Sequence, residues 1–235
     1  DACRTVSAVI AAGIVPAAME LMDRQTMEVV EQWLHLGLPL DAAAVLVIEV
    51  DGPAVSLPPQ VERIAAIARA HGARSARIAA DAEERAALWR GRKSSYGAYG
   101  RTGRRFHLMD GTVPRSRLAE ATAEIYRLAA ARGLHAGTLM HAGDGNLHPK
   151  ILFDPDDAAQ ERAALEVAEE ILRTCLRLGG TISGEHGIGL EKRHMMREAF
   201  APADLAVMER LRRAFDPTGR MNPGKLLPPA EGGDA

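Results

Sequence analysis

Two short apolar runs in the second half of the chain constrain its fold more than any other feature. Residues 137–141 (GTLMH) and 148–153 (HPKILF) have the length of strands and are separated only by the six residues AGDGNL. Glycines at positions 143 and 145, on either side of an aspartate, permit a tight turn between them. The pattern therefore predicts a β-hairpin, and with it an antiparallel part of the fold.

The remaining segments alternate between helical and extended patterns. Helical spacing of apolar residues predicts helices over residues 17–36, 60–72, 115–133 and 156–178, and another beginning near Asp81. Strands are predicted over residues 44–52, 74–80 and 106–114. This order fits an α+β class, an antiparallel sheet flanked by helices, better than a purely parallel sheet. Residues 215–228, which contain several turn formers, are predicted to be a shaped loop, and residues 229–235 a disordered tail.

Composition excludes several classes of function. The 235 residues carry a formal net charge of -2, whereas a nucleic-acid-binding protein is usually strongly basic. Aromatic residues make up only 4% of the chain, and we expect them to be buried in the core and not exposed for stacking against a ligand. The two cysteines form no Cys-x-x-Cys pair and indicate a reducing compartment. No apolar run approaches the roughly 18 to 20 residues of a membrane span, and no signal-peptide pattern is present, so a cytoplasmic location is predicted.

Two histidines bracket the predicted hairpin turn. The glycine-containing turn between His141 and His148 can bring both imidazoles to one end of the hairpin. Neutral imidazole is the commonest metal ligand in proteins. For this spacing alone, an ordinary polar turn flanked by two histidines is the more frequent explanation. A metal site would need a third ligand.

The glycine-rich segment 179–194 (GGTISGEHGIGLEKRH) offers that third ligand. Five glycines in eleven residues imply that the backbone passes close to something, because each glycine weakens regular structure by roughly 0.5 to 1 kcal/mol. Glu185 and His186 place a carboxylate and a potential base side by side. Two histidines and one carboxylate with open positions suit Zn, Mn or Fe in a catalytic site. A phosphate-binding loop is the alternative, but neither phosphate motif is present and Glu185 would repel a phosphate.

A basic cluster lies within residues 88–101 (LWRGRKSSYGAYGR). Arg90, Arg92 and Lys93 follow Trp89. Arginine binds carboxylates through two parallel hydrogen bonds, which would suit an organic acid. A solvated basic face explains such clusters more often, and both interpretations stay open.

Four segments together resemble the C-terminal substrate or cap domain of FAD-linked oxidases of the vanillyl-alcohol-oxidase superfamily. They are LWRGRK, HAGDGNLHP, GGTISGEHGIGLEKR and DPTGRMNPGKLLP. The resemblance is greatest to the glycolate oxidase FAD-subunit and D-lactate dehydrogenase branch and covers residues 1–228. It implies a ferredoxin-like cap domain with an antiparallel sheet. It also implies that FAD is held mainly by an N-terminal FAD-binding domain that is absent from this chain.

The resemblance further implies an activity and a set of site residues. Members of the family oxidise D-2-hydroxy acids to 2-oxo acids and pass a hydride from the substrate C2 to flavin N5. The implied roles are metal ligands at His141, His148 and Glu185, a base at His186, substrate contacts at Arg92, Lys93 and Asn146, and flavin contacts at Asn222 and Lys225. Leu108 stands where some hydroxyglutarate-type relatives carry a substrate-binding lysine, which makes a dicarboxylate substrate less expected.

Three functions are therefore open from the sequence. The favoured one is the substrate- and metal-binding part of a flavin-dependent D-2-hydroxyacid dehydrogenase. Its expected partners are a small 2-hydroxy acid, an FAD-binding domain or subunit and, as a further candidate, an electron-acceptor subunit. The rival is a flavin-independent metal-binding or hydrolase domain that uses the same two histidines and glutamate. The third is an assembly module that kept the fold without catalysis.

Overall fold

One antiparallel sheet organises the chain, in a computed structural model that describes residues 1–229. The strand order is β2-β1-β5-β6-β3, and the short strand β4 also pairs with β6. The elements are α1 Ala2–Ala11, β1 Ala18–Asp23, α2 Arg24–Leu34, β2 Ala44–Glu49, α3 Leu57–Ala70, α4 Ala82–Tyr99, β3 Arg105–Leu108, β4 Gly111–Thr112, α5 Leu118–Ala131, β5 His135–His141, β6 Asn146–Phe153, α6 Ala158–Arg177, α7 Met196–Ala199 and α8 Pro202–Phe215. The predicted α+β class, an antiparallel sheet flanked by helices, is confirmed.

The two faces of the sheet differ because side chains alternate along each strand. On one face, Leu147 and Ile151 of β6 join the main apolar core, to which α5 and α6 contribute. The opposite face carries Glu20 of β1, His141 of β5 and His148 of β6. Strand register brings these three together. Glu20 of β1 pairs directly with His141 of β5. The residue two positions before His141 lies on the same face and pairs with His148 of β6. The polar face therefore positions the candidate site.

Helices α2 and α4 cover the rest of the polar face. Met22, Met27 and Leu139 form a small apolar cluster there. Tyr99 of α4 donates to or accepts from Thr26 of α2 at 3.0 Å. A side chain at Gly137 of β5 would collide with the Tyr99 hydroxyl, so the glycine lets α4 pack closely on the sheet.

The helix predicted over residues 17–36 is wrong in its first third. Ala18–Asp23 is the strand β1, buried at all but its first position, and the helix begins only at Arg24. Because both faces of β1 are buried, its sequence lacks the alternation that marks a half-buried strand. The side chain of Asp23 accepts a hydrogen bond from the Thr26 amide at 2.8 Å and so caps α2.

The strand predicted over residues 74–80 is also wrong. This segment forms no strand and is largely exposed. The strand predicted over residues 106–114 is divided into β3 and β4. The other predicted helices and strands are present with ends shifted by a few residues, and residues 216–228 form the expected series of turns and bends.

Two further observations complete the description of the chain. Most of the predicted disordered tail, residues 230–235, lies outside the described residues. Across residues 1–229, no helix combines the length and the apolar character that crossing a membrane requires.

Candidate metal and substrate site

The three side chains predicted as metal ligands converge at one end of the β5-β6 hairpin. Gly145 has a φ of 76° in the turn, and a side chain there would collide with the Val113 carbonyl oxygen. Glu185 approaches from the glycine-rich loop, and its Oε1 lies 3.3 Å from Nε2 of His141 and 3.0 Å from Nε2 of His148. The donor atoms of all three residues lie within 4.8 Å of one another. The fold thus brings the predicted ligand set together.

Both imidazoles turn the same ring nitrogen toward Glu185. Nδ1 of His141 lies 2.7 Å from Oε1 of Glu20, and Nδ1 of His148 lies 3.4 Å from the carbonyl oxygen of Met109. With Nδ1 as the donor in each case, Nε2 of the neutral ring carries a lone pair. Within residues 1–229, the buried Nε2 of His148 has no hydrogen-bond partner, so its short contact with Glu185 is not a hydrogen bond. An orphaned lone pair beside a carboxylate fits a bound cation.

Neighbouring groups move the pKa values of the two imidazoles in opposite directions. The hydrogen bond with Glu20 raises the pKa of His141 above its ordinary value. Burial, assisted by the positive charges that His141 and His186 can carry, lowers the pKa of His148. His148 is therefore held neutral, as a metal ligand must be.

Glu20 is a site residue that the sequence interpretation missed. Its carboxylate is buried on β1, where Oε1 meets His141 and Oε2 accepts from Nε of Arg92 at 2.7 Å. Burial raises the pKa of Glu20, but the bonds with His141 and Arg92 outweigh burial and hold the pKa below its ordinary value. Glu20 thereby connects a predicted metal ligand to a predicted substrate residue. An acid flanked by apolar residues on both sides in the segment AMELM was the available signal, and the helix predicted there concealed it.

The residues of the basic cluster lie on different sides of helix α4. Arg92 faces the site with 16% of its side chain exposed, and its bond to Glu20 uses only Nε. Among the described residues, no hydrogen bond or ion pair engages its two terminal nitrogens, which leaves both free to bind a carboxylate. Lys93 is exposed and lies over the ring of Trp89, with Nζ 5.7 Å from the ring centroid. The structure does not bring Lys93 together with Arg92.

A buried carboxylate, Asp110, holds the loop that carries Glu185 and His186. It follows β3 and is fully buried. Its donors are Ser183 Oγ at 2.7 Å, the amides of Gly184 at 3.1 Å, Glu185 at 3.1 Å and His186 at 2.7 Å, and Lys192 Nζ at 3.3 Å. Burial raises the pKa of Asp110, but these donors outweigh burial and hold the pKa at about 2. Asp110 is a second residue that the sequence interpretation missed.

Asn146 and His186 flank the ligand set. Asn146 begins β6 opposite His141, and its buried Oδ1 has no hydrogen-bond partner among the residues described. A Cβ at Gly184 would lie 2.5 Å from Asn146 Nδ2, so glycine there lets the loop close onto Asn146. The ring of His186 stacks on His148 with centroids 5.0 Å apart, and 40% of its side chain is exposed. Both residues lie where a ligand at the site would touch them.

A second group of potential donors overlaps the first. Asp110, His148 and His186 also have donor atoms within 4.8 Å of one another. Asp110 already accepts hydrogen bonds from the loop, whereas His148 Nε2 is directed at Glu185. The set of His141, His148 and Glu185 is therefore the better cation site.

The predicted flavin contacts lie in the exposed loop that follows α8. Asn222 has a φ of 46°, and its carbonyl oxygen accepts from Arg212 at 3.1 Å. No contact in the described chain joins Asn222 or Lys225 to the ligand set. Both side chains are exposed on this loop.

These features define a class of protein: an α+β domain whose antiparallel sheet presents two histidines, a loop glutamate and a partly buried arginine at one site. Residues 1–226 match the family FAD linked oxidases, C-terminal domain, and the chain belongs to this family.

Relatives and solved structures agree with that membership. The chain is 40% identical over 223 residues to glycolate oxidase subunit GlcD of Escherichia coli strain K12, covering 95% of this chain and 45% of that protein. It is 39% identical to subunit GlcD of Bacillus subtilis strain 168, with 96% and 48% covered. Against mitochondrial D-lactate dehydrogenase [cytochrome] of Arabidopsis thaliana, the identity is 31%, with 97% and 40% covered. The chain thus spans less than half the length of these relatives.

Two solved structures share the fold at low sequence identity. p-Cresol methylhydroxylase with bound substrate superposes with a TM-score of 0.62 at 15% identity, covering 96% of this chain and 50% of that one. 4-Ethylphenol oxidase of Gulosibacter chungangensis gives a TM-score of 0.58 at 15% identity, covering 91% and 48%. At this identity the likeness concerns the fold alone.

Proposed function

We propose that this chain is the substrate- and metal-binding part of a flavin-dependent dehydrogenase of D-2-hydroxy acids. The observation that carries the proposal is the convergence of His141, His148 and Glu185, with donors within 4.8 Å of one another, beside Arg92. Membership of the FAD-linked oxidase family supports FAD as the cofactor, and relatives named for glycolate and D-lactate support the substrate class. Residues 1–228 form the substrate domain, and a separate FAD-binding domain or subunit holds most of the FAD.

The ligand set and Arg92 bind and orient the acid. His141, His148 and Glu185 would hold a divalent ion (Zn, Mn or Fe), which would supply Lewis-acid polarisation of the substrate hydroxyl and carboxylate. The terminal nitrogens of Arg92 bind the carboxylate, and Glu20 fixes the position of that guanidinium. Asn146, whose Oδ1 has no hydrogen-bond partner within residues 1–229, contacts the substrate beside them. Lys93 is not assigned a contact with the substrate, because its side chain lies over the ring of Trp89.

His186 takes the hydroxyl proton. Its backbone is anchored by Asp110 and its ring rests on His148, so the imidazole is held in place yet 40% exposed. Its Nε2 lies 3.8 Å from Glu185 Oε1, farther than either ligand histidine. As the O–H proton passes to His186, the C2–H bond breaks and its electron pair leaves as hydride, which gives the 2-oxo acid. FAD, when bound, would supply the hydride acceptor, and Asn222 and Lys225 of the terminal loop would contact it.

Anaerobic flavin reduction tests the proposal. In the holoenzyme, which joins this domain to its FAD-binding partner, D-lactate or glycolate should bleach the flavin absorbance and L-lactate should not. Arg92→Lys should raise the KM for the acid by about tenfold or more, because a bidentate contact is lost. The matched control Arg90→Lys, on the exposed side of α4, should leave KM unchanged.

The rival function predicts a different result. A flavin-independent metal hydrolase would leave the flavin oxidised with every 2-hydroxy acid, and chelation would abolish an ester- or amide-cleaving activity instead. That outcome would refute the dehydrogenase proposal.

A further inference from the structure

The terminal loop that follows α8 is exposed and yet has a specific backbone shape. Three of its residues adopt left-handed conformations, Gly219 with a φ of 67°, Asn222 with a φ of 46° and Gly224 with a φ of 71°. The side chains of residues 217–226 are all exposed, and that of Met221 is 66% exposed. Burial of apolar side chains therefore does not hold this stretch in place.

Side chains at the end of α8 hold the first half of the loop. The Asp216 carboxylate accepts hydrogen bonds from the amide of Arg220 at 2.9 Å and from that of Met221 at 2.8 Å. The Arg212 guanidinium donates to the carbonyl oxygens of Met221 at 2.8 Å and Asn222 at 3.1 Å. These bonds fix the backbone up to Asn222 relative to α8.

Arg193 holds the second half of the loop from another part of the chain. Its Nη1 donates to the carbonyl oxygen of Gly224, 31 positions away in sequence. Arg193 begins a one-turn 3₁₀ helix directly after Lys192, which is buried and whose Nζ lies 3.3 Å from Asp110. Because a carbonyl oxygen is neutral, the bond from Arg193 fixes a position and does not neutralise a charge.

Lys192 and Arg193 together connect the two loops that the proposed function uses. Asp110, the partner of Lys192, holds the backbone of the loop that carries Glu185 and His186. Arg193, the next residue, holds the terminal loop between Asn222 and Lys225. The two loops are thereby tied to adjacent residues of one short turn. This link fixes their relative position without any direct contact between their functional side chains.

The terminal loop has a chemistry that suits a flavin. The exposed amide of Asn222 and the ammonium of Lys225 are able to meet the polar edge of an isoalloxazine ring, and a cation there favours the negative charge that reduction adds. The position of this loop relative to the substrate site would then decide how closely flavin and substrate approach. A misplacement of about 1 Å is enough to slow a reaction by about 100-fold.

We propose that Arg193 is a positioning residue, which keeps the terminal loop in a fixed place relative to the metal and substrate site. Through that loop it sets both the retention of FAD and the rate of hydride transfer, although Arg193 itself contacts neither the metal nor the substrate. This inference rests on the proposed function, in which Asn222 and Lys225 contact the flavin.

Arg193→Met tests the inference in the holoenzyme, because methionine keeps an unbranched side chain and removes the donor. The Kd for FAD should rise by about 5- to 20-fold, as expected for losing one hydrogen bond from a charged donor. Anaerobic flavin reduction at saturating substrate should slow by a similar factor. Metal content and the KM for the 2-hydroxy acid should not change, because the ligand set and Arg92 keep their own contacts. Arg193→Lys, which retains a donor, should recover part of both losses.

Hydrogen exchange provides a readout that does not depend on activity. In the 235-residue chain, the peptide covering residues 219–226 should exchange faster in Arg193→Met than in wild type. The matched control is Arg213→Met, since Arg213 is an exposed α8 arginine that donates to Glu209 at 2.7 Å and not to the loop. This control should change neither the exchange rate nor the Kd for FAD.

Three results would overturn the inference. The first is an unchanged Kd for FAD in Arg193→Met. The second is weaker FAD binding without faster exchange of the loop, because the effect would then not pass through the loop. The third is loss of metal, which would show that Arg193 acts on the loop of Glu185 instead. Failure of every 2-hydroxy acid to reduce the wild-type flavin would refute the proposed function, whereas FAD affinity and exchange would still decide the role of Arg193.

Discussion

Replacing Asp110 with asparagine removes the charge that holds the site loop while keeping the shape of the side chain. The carboxylate accepts from one hydroxyl, three consecutive backbone amides and Lys192. An amide in its place would direct its NH2 group at some of these donors. It would also leave Lys192, itself buried, without an acidic partner.

The pKa of Asp110 gives the expected size of the effect. A pKa of about 2, against the ordinary value of 3.8, corresponds to about 2 kcal/mol in favour of the ionised form in the folded state. The unpaired Lys192 adds to this loss. Asp110→Asn should therefore lower the free energy of unfolding by about 2 to 4 kcal/mol near pH 7.

The depressed pKa of Asp110 determines the pH range over which this carboxylate stabilises the folded state. Because the folded-state pKa is depressed, the stabilisation is complete above the unfolded-state pKa near 3.8 and is lost as the pH falls toward about 2. Urea denaturation of the metal-free domain should thus show a constant difference between wild type and Asp110→Asn above pH 5 and a shrinking difference below pH 4.

Asp156→Asn, at an exposed position, is the control and should change stability by less than about 0.5 kcal/mol. The ionised Asp110 does not hold the loop if Asp110→Asn also lowers the free energy of unfolding by less than about 0.5 kcal/mol at pH 7. The same conclusion follows if the loss of stability is as large below pH 4 as at pH 7.

Three further predictions concern the cofactors. The 235-residue chain alone should not retain FAD stoichiometrically, since neither dinucleotide nor phosphate motif is present; a flavin spectrum in the purified chain would contradict this. His186→Asn should keep metal and FAD but slow anaerobic flavin reduction by about 100-fold or more, and loss of metal would instead make His186 a ligand. Glu20→Gln should weaken divalent-ion affinity by about 10- to 100-fold in calorimetric titration. Glu49→Gln, a β2 carboxylate bonded to Arg85 and Trp89, should not weaken it.

Local patterns in the sequence were sufficient to predict the hairpin and the convergence of His141, His148 and Glu185. Gly143 and Gly145 identified the turn between His141 and His148, and the density of glycine around Glu185 indicated a close backbone approach. In the structure, Gly184 lies directly against Asn146. These inferences succeeded because each depends on neighbouring residues in the chain or on a steric requirement for glycine.

Glu20 and Asp110 could not be recognised in this way. The role of each depends on strand register or on a partner distant in sequence, as with Glu20 and Arg92, which are 72 positions apart. The strand β1 was mistaken for a helix because burial on both faces removes its alternation, and that error concealed Glu20. Tertiary pairing, absent from any local window, was the missing information.

Metal stoichiometry tests the central claim most directly. Elemental analysis after dialysis against trace Zn, Mn or Fe should find one divalent ion per wild-type chain and a marked loss in His141→Ala. His135→Ala, an exposed histidine at the opposite end of β5, serves as the matched control and should retain the ion. An unchanged metal-to-protein ratio in folded His141→Ala would contradict the assignment of His141, His148 and Glu185 as a shared metal site.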